Sequence, residues 1–329
     1  MAEETVDLGS LGLSEEVLFS SVDQDGLAAE HIEAPKYSYW ASVFRVFFRK
    51  KINIVLLALL GVILAFTYLY PAVTGYDPEV DPYMHLLDPQ SKHLRPGQAM
   101  SRFGNALRWV LGTGASGEST FDAVWYGSGI SLSLALICAA INLTVGVLIG
   151  AVWGFSRRVD RVMTEVYNVV ANVPYILLIS VVVLIVSPSF WSMVFALTVT
   201  GWISVAYFIR TQVMIIRDRE YNLASRCLGT PMHRIATKNI LPFMTSVIVT
   251  LAAAEIPSYI SYEVFLSFIG MGLKDMSLGR LIQAAQGAML TPGWELEFWS
   301  PVAVAAIITV VLYVVGQNLG DASDPRTHL

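Results

Sequence analysis

Glu255, Ser258, Tyr259 and Tyr262 follow one another at spacings of three and four inside an otherwise apolar run, which on a helix places them along one face. A carboxylate in such a run is costly to hold unless it meets water or a partner. The chemistry open to this row is contact with a polar solute crossing a membrane, or carriage of a proton by Glu255. The competing reading is a glutamate bonded to Ser or Tyr where two helices touch. Elsewhere the chain offers little for catalysis. Cys138 lies in an apolar run and Cys227 in a polar segment, so no disulfide framework is expected. His31, His85, His93, His233 and His328 are scattered and show no metal-ligand spacing. No G-x-x-x-x-G-K-[ST] sequence occurs, so ATP, if it drives this protein, must be bound elsewhere.

The second distinctive stretch is polar. Residues 220–241 read EYNLASRCLGTPMHRIATKNIL between two apolar runs. Gly229 suits the left-handed position just past a helix end, Thr230 can cap a following helix, and Pro231 suits its first position. Two short helices meeting at a corner are therefore predicted. Arg217, Arg219, Arg226, Arg234 and Lys238 outnumber Asp218 and Glu220 there, which puts the corner on the cytosolic side. A helix of this kind, with apolar Leu223, Ala224 and Leu228 among polar residues, fits a groove on another protein. The plainer reading is a loop helix that caps the bundle.

These residues must be positioned by membrane-spanning helices. The chain has 329 residues, 55% hydrophobic and 14% charged, with mean hydropathy +0.58, and its uncharged runs reach the roughly 20 residues a span requires. This predicts an all-α polytopic membrane protein. The net charge of -5 is misleading, because residues 1–35 hold nine of the 26 acids and no Lys or Arg. Nothing points to a nucleic-acid partner. Residues 1–43 read as a cytosolic acidic tail and juxtamembrane segment, ending in an aromatic and basic collar that continues through Phe44, Arg45, Phe47, Phe48, Arg49, Lys50 and Lys51. A first span is predicted over 52–70, stopping at Pro71, within a unit covering 44–71. Residues 72–121 are a Pro- and Gly-rich external loop with an amphipathic helix over 101–111.

Five further spans are predicted within 122–320: 129–155, 165–186, 190–216, 242–265 and 298–318, with a second external stretch over 270–297. Gly146 and Gly150, four apart, suit close helix approach. Arg210 near the inner end of its span can reach toward lipid phosphates. Glu263 stands near the outer end of its span, where it could hold the external mouth or a helix contact. The tail 321–329 returns to the cytosol, giving six spans with both termini inside.

The ordered motifs carry a resemblance. EYNLASRCLG followed by Ile240, Leu241 and Pro242 resembles the cytosolic E-A-A-x-x-x-G-x(9)-I-x-L-P signature of type I ABC importer permeases. More narrowly, it is similar to the second, C-type permease of the oligopeptide and dipeptide import family. Leu111-Gly112-Thr113, Gly127, Ile130-Ser131-Leu132, Asp160, Pro174, Trp202, Arg210, Gln212, the run from Glu263 to Gly272, and Asn318-Leu319-Gly320-Asp321 with Asp324-Pro325-Arg326 match in order. The resemblance covers roughly residues 44–326. It implies a non-enzymatic permease subunit in a bacterial plasma membrane, half of a translocation path lying between two homologous permeases. It also implies two ATPase subunits that bind ATP and Mg, an extracellular peptide-binding protein, and a peptide substrate, with no cofactor in this chain.

By the same resemblance, residues 217–241 are the coupling segment, with Glu220, Tyr221, Leu223, Ala224, Ser225, Leu228 and Gly229 facing the ATPase. Leu223 stands where the family has glutamate, so docking here is expected to rest on shape and apolar contact. Glu255 matches no family motif. The alternatives are an ion-coupled secondary transporter using Glu255, or a permease for nickel or another small solute.

Overall fold

Lys50 and Lys51 mark a corner where the chain turns from an interfacial helix into its first span. The computed structural model describes residues 38–80, 89–104 and 107–324; the acidic tail up to residue 37 and the last five residues lie outside them. Helix α1 (Tyr39–Arg49) packs Val43 and Phe47 beside Ala322 near the chain's far end and exposes Trp40, Phe44 and Phe48 on its other side. The Tyr39 hydroxyl donates to Ser323 O at 2.7 Å. Asn53 Nδ2 closes the corner by donating to Phe47 O at 2.8 Å. The aromatic collar thus has one face on protein and one available to an interface.

Helix α2 runs over Lys51–Thr74 and does not stop at Pro71 as expected. A π-helical turn at Ala65–Leu69 widens the helix just before the proline, with the Tyr70 amide reaching back to Ala65 O. That extra room lets the helix continue past a residue that cannot donate. Gly75, with φ +64, then ends it. In the loop that follows, the helix expected over 101–111 is instead α3 (Pro96–Phe103). Gly104 at φ +96 breaks it, in a region of backbone space that side chains disfavour.

Helix α4 (Thr120–Phe155) has 36 residues, about 54 Å at 1.5 Å per residue. It outreaches a hydrocarbon core of about 30 Å and begins nine residues before the predicted span. Ser119 caps it by accepting from the Asp122 amide, and Asp122 takes Arg108 at 2.8 Å. In place of the single span expected over 165–186 stand two helices, α5 (Arg157–Ala171) and α6 (Tyr175–Val186). They meet at 81°, because Pro174 lacks an N–H and biases the residue before it away from helical geometry. Helices α7 (Phe190–Thr198) and α8 (Gly201–Arg217) together form the next crossing.

Helix α9 (Glu220–Cys227) and α10 (Met232–Ile235) make the predicted corner. Helices α11 (Thr245–Phe268), α12 (Leu278–Ala284) and α13 (Glu295–Ala322) complete the described chain. Among the described residues five helices are long and apolar enough to cross a membrane, and six crossings result when the bent α5–α6 pair is counted as one span.

Helices α4 and α8 pack closely. A Cβ at Gly146 would stand 2.5 Å from the Val205 side chain, and one at Gly150 2.5 Å from Ala206 O. Small residues here let two backbones meet where lipid supplies no hydrophobic drive. The main core gathers Leu132, Leu134, Ile179, Leu197 and Ile260 from α4, α6, α7 and α11. The two stretches expected to be external also clasp each other. The His93 ring stacks on Trp294 at 3.8 Å and its Nδ1 meets Glu297 at 2.7 Å.

Candidate functional site

The segment 217–241, expected to couple to an ATPase, is rooted before it is presented. Ile209, Val213 and Ile216 of α8 pack with Phe155 of α4 and with Ile235, Ile240 and Met244 from beyond the corner. At the junction Asn222 is fully buried. Its Nδ2 donates to Ile216 O at 2.9 Å and its Oδ1 accepts from Asn239 at 3.2 Å. This one carboxamide ties the start of α9 to the end of α8 and to the return strand of chain. A lone polar residue among polar neighbours gave no sign of this in the sequence.

Gly229 has φ +76, and its amide and that of Thr230 donate to Arg226 O and Ser225 O, each at 3.0 Å. That double closure is the usual glycine ending of a helix. Thr230 therefore closes α9 with its backbone rather than capping α10, which starts at Met232. Beyond α10 a π-helical turn at Ala236–Ile240 leads to Pro242.

The result is an exposed face on a fixed base. Tyr221, Leu223 and Leu228 are 42%, 44% and 85% exposed; Glu220, Ala224 and Gly229 are exposed and Ser225 is half-buried. Three large apolar groups are thus exposed on or just past one short helix at the basic end of the bundle, Tyr221 and Leu228 on one side of it and Leu223 on the other.

The row on α11 is divided. Tyr259 is buried and its hydroxyl accepts from Asn142 Nδ2 at 2.6 Å. Glu255 is hydrogen-bonded to Tyr259. Tyr262 packs edge-on to Tyr175 at 5.1 Å, while Ser258 returns its hydroxyl to Ala254 O at 2.8 Å. Tyr259 and Tyr262 thus reach α4 and α6, Glu255 joins them through Tyr259, and Ser258 is engaged only within α11.

Arg210 does not reach for lipid. Its Nε meets Asp160 at 2.5 Å, and its guanidinium lies over Trp153 and Tyr207. The nearby carboxylate of α5 gives a planar cation a better partner than a headgroup would.

Glu263 holds a helix contact. It is completely buried, and Ser131, Ser267 and Ser277 donate to it at 2.8, 2.9 and 2.6 Å. The Gly279 amide joins them. The carboxylate thereby fastens α12, in the second outer stretch, to α4 and α11.

A cavity of about 630 Å³ opens at the basic end between α8, α11 and α13, lined by Phe208, Gln212, Thr250, Ala254, Gln317 and Asp321. No group of three or more metal-ligating side chains occurs among the described residues.

The family described as "Binding-protein-dependent transport system inner membrane component" matches residues 143–329, and "N-terminal TM domain of oligopeptide transport permease C" matches residues 38–91. The chain is 44% identical to the oligopeptide transport system permease protein AmiD of Streptococcus pneumoniae, covering 94% of this chain and 97% of that protein. It is 30% identical to the dipeptide transport system permease protein DppC of Bacillus subtilis, over 91% and 89% of the two chains. It is 29% identical to the oligopeptide transport system permease protein OppC of the same organism, over 91% and 93%.

Proposed function

Because the chain belongs to the family of inner-membrane components of binding-protein-dependent transport systems, and within it to the oligopeptide and dipeptide permeases, we propose that it is the permease subunit through which an ATP-driven importer carries oligopeptides across the bacterial plasma membrane. It is a multi-pass membrane protein. A second homologous permease supplies the other half of the path, an external peptide-binding protein delivers substrate, and two separate ATPase subunits bind ATP and Mg.

The observation that carries this reading is the exposure of Tyr221, Leu223 and Leu228 around a short helix whose root is buried and hydrogen-bonded. A lever needs both a contact surface and a stiff attachment. Closure of the ATPase pair would push α9 as a rigid body, and the shared packing of α8 with the segment leading into α11 would pass that push to the two spans. The collar of Arg45, Arg49, Lys50 and Lys51 and the basic residues of 217–241 put the start of the first span and α9 on the cytosolic side.

Reconstitution tests it. With a homologous permease, the ATPases and the binding protein in sealed vesicles, labelled alanine oligopeptide should accumulate only with ATP. Leu223→Asp should leave the permeases assembled but release the ATPases on purification. Peptide uptake that persists without ATP and collapses with a protonophore would refute the proposal.

A further inference from the structure

The break between α5 and α6 lies deep in the bundle. Tyr175, the first residue of α6, donates its hydroxyl to Leu197 O at 2.6 Å, and Asn142 donates to the same carbonyl at 3.1 Å and to Tyr259 at 2.6 Å. Asn142 stands 13 residues above the basic end of α4 at Phe155 and 22 below its start, about 20 and 33 Å along the helix. Leu197 is 20 residues from Arg217 and seven from Phe190, about 30 and 10 Å. Residues 171–174 therefore sit inside the hydrocarbon layer, and all four are exposed in this chain. Broken backbone at that depth survives only where it is covered by protein or lines water.

A polar stripe leads to the break. Arg158, Arg161, Glu165, Asn168 and Asn172 follow at spacings of three and four, and every one is exposed. They occupy one face of α5, running from the basic end of the bundle to the break. Helix α5 has no buried residue of its own. Lipid is a poor neighbour for such a stripe at these depths, and lipid does not explain why charge gives way to carboxamides toward the centre.

Asn172 Nδ2 caps the helix end by donating to Asn168 O, which leaves its oxygen and the Asn168 carboxamide to meet a solute. A carboxamide both donates and accepts, as does a peptide bond. It can follow a main chain whatever side chains that chain carries.

We propose that this face of α5 lines the translocation path and that Asn168 and Asn172, at the helix break, bind the main chain of the passing peptide. The assignment rests on the peptide-permease reading above and names the site within it.

Cysteine accessibility in the assembled, energised transporter tests it, with labelled positions identified by mass spectrometry. Cys138, buried, is an internal reference for slow reaction. Asn168→Cys and Asn172→Cys should react with a charged methanethiosulfonate at least about tenfold faster than Leu184→Cys on the exposed apolar side of α6, since only a wet thiol ionises readily. Saturating alanine oligopeptide should slow both. Asn168→Cys keeps the test decisive if loss of the Asn172 cap prevents assembly.

Reaction as slow as at Leu184 overturns the path assignment. Fast reaction that peptide does not slow, in a complex whose wild type imports peptide, overturns the main-chain contact. If the wild type imports no peptide, the reading above has failed and the peptide contact falls with it, while the labelling rates still decide whether α5 is wet.

Discussion

Glu263→Ala removes an acceptor that three elements share. In the native chain Ser131 of α4, Ser267 of α11 and Ser277 ahead of α12 all donate to this carboxylate, at 2.6 to 2.9 Å, in a site with no solvent exposure. A hydrogen bond to a charged acceptor contributes about 1.5–3 kcal/mol, and a buried donor left unpaired costs about 1–3 kcal/mol. The full sum overstates the loss. Ser277 still caps α12 by accepting from the Arg280 amide, and Ser131 still accepts from the Leu278 amide. A net cost of about 3 kcal/mol for detaching α12 follows, that of two or so buried donors left short of an acceptor. That cost raises the population of the detached state roughly 10²-fold.

Limited proteolysis from the outer face of sealed vesicles, read by mass spectrometry over residues 270–297, measures it. Cleavage there should rise by about two orders of magnitude, while cleavage over residues 220–241 stays at the native level and shows that the whole chain has not unfolded. Glu263→Gln retains one acceptor oxygen and should fall between the two. Cleavage of Glu263→Ala within about threefold of wild type would refute the idea that this carboxylate holds α12 down.

Leu223→Ala should weaken coupling of ATP hydrolysis to transport more than Glu220→Gln does, because Leu223 presents apolar surface on the exposed face of α9 and no carboxylate stands at 223; transport-coupled ATPase activity in vesicles decides it, and the reverse order would overturn an apolar docking mode. Gly150→Val should cost about 1–3 kcal/mol by overpacking, since its Cβ would meet Ala206 O and Ile209. Gly61→Ala, with open space around its Cα, should leave the thermal midpoint of the purified complex unchanged, and equal midpoints for the two variants would refute the close α4–α8 contact.

Much of the architecture was legible in the order of residues. Spanning lengths, the Gly146–Gly150 face and the Gly229 corner are local properties, set by hydrophobic run length, side-chain size and backbone freedom, and each reappears in the fold. Boundaries were less legible. Helix α2 passes Pro71 after a π-helical turn, α11 and α13 run on through Pro257 and Pro301, and α5 and α6 part at Pro174. Prolines in apolar runs look alike in sequence, and the chain around each decides whether the helix continues.

The candidate site divides the same way. The amino-acid sequence determined that residues 220–241 form a basic, cornered helix pair with Tyr221, Leu223 and Leu228 available to a partner, because charge and helix-ending chemistry act over a few residues. Only the tertiary structure decided which polar groups are spent inside the chain. Tyr259 and Glu263 are engaged by Asn142, Ser131 and Ser277, residues more than 100 positions away or on another element, Arg210 is taken up by Asp160, and Asn222 is consumed at the root of the lever. The stripe from Arg158 to Asn172 is left facing outward. Burial of a polar group depends on contacts between distant segments, and those contacts exist only once the helices have packed.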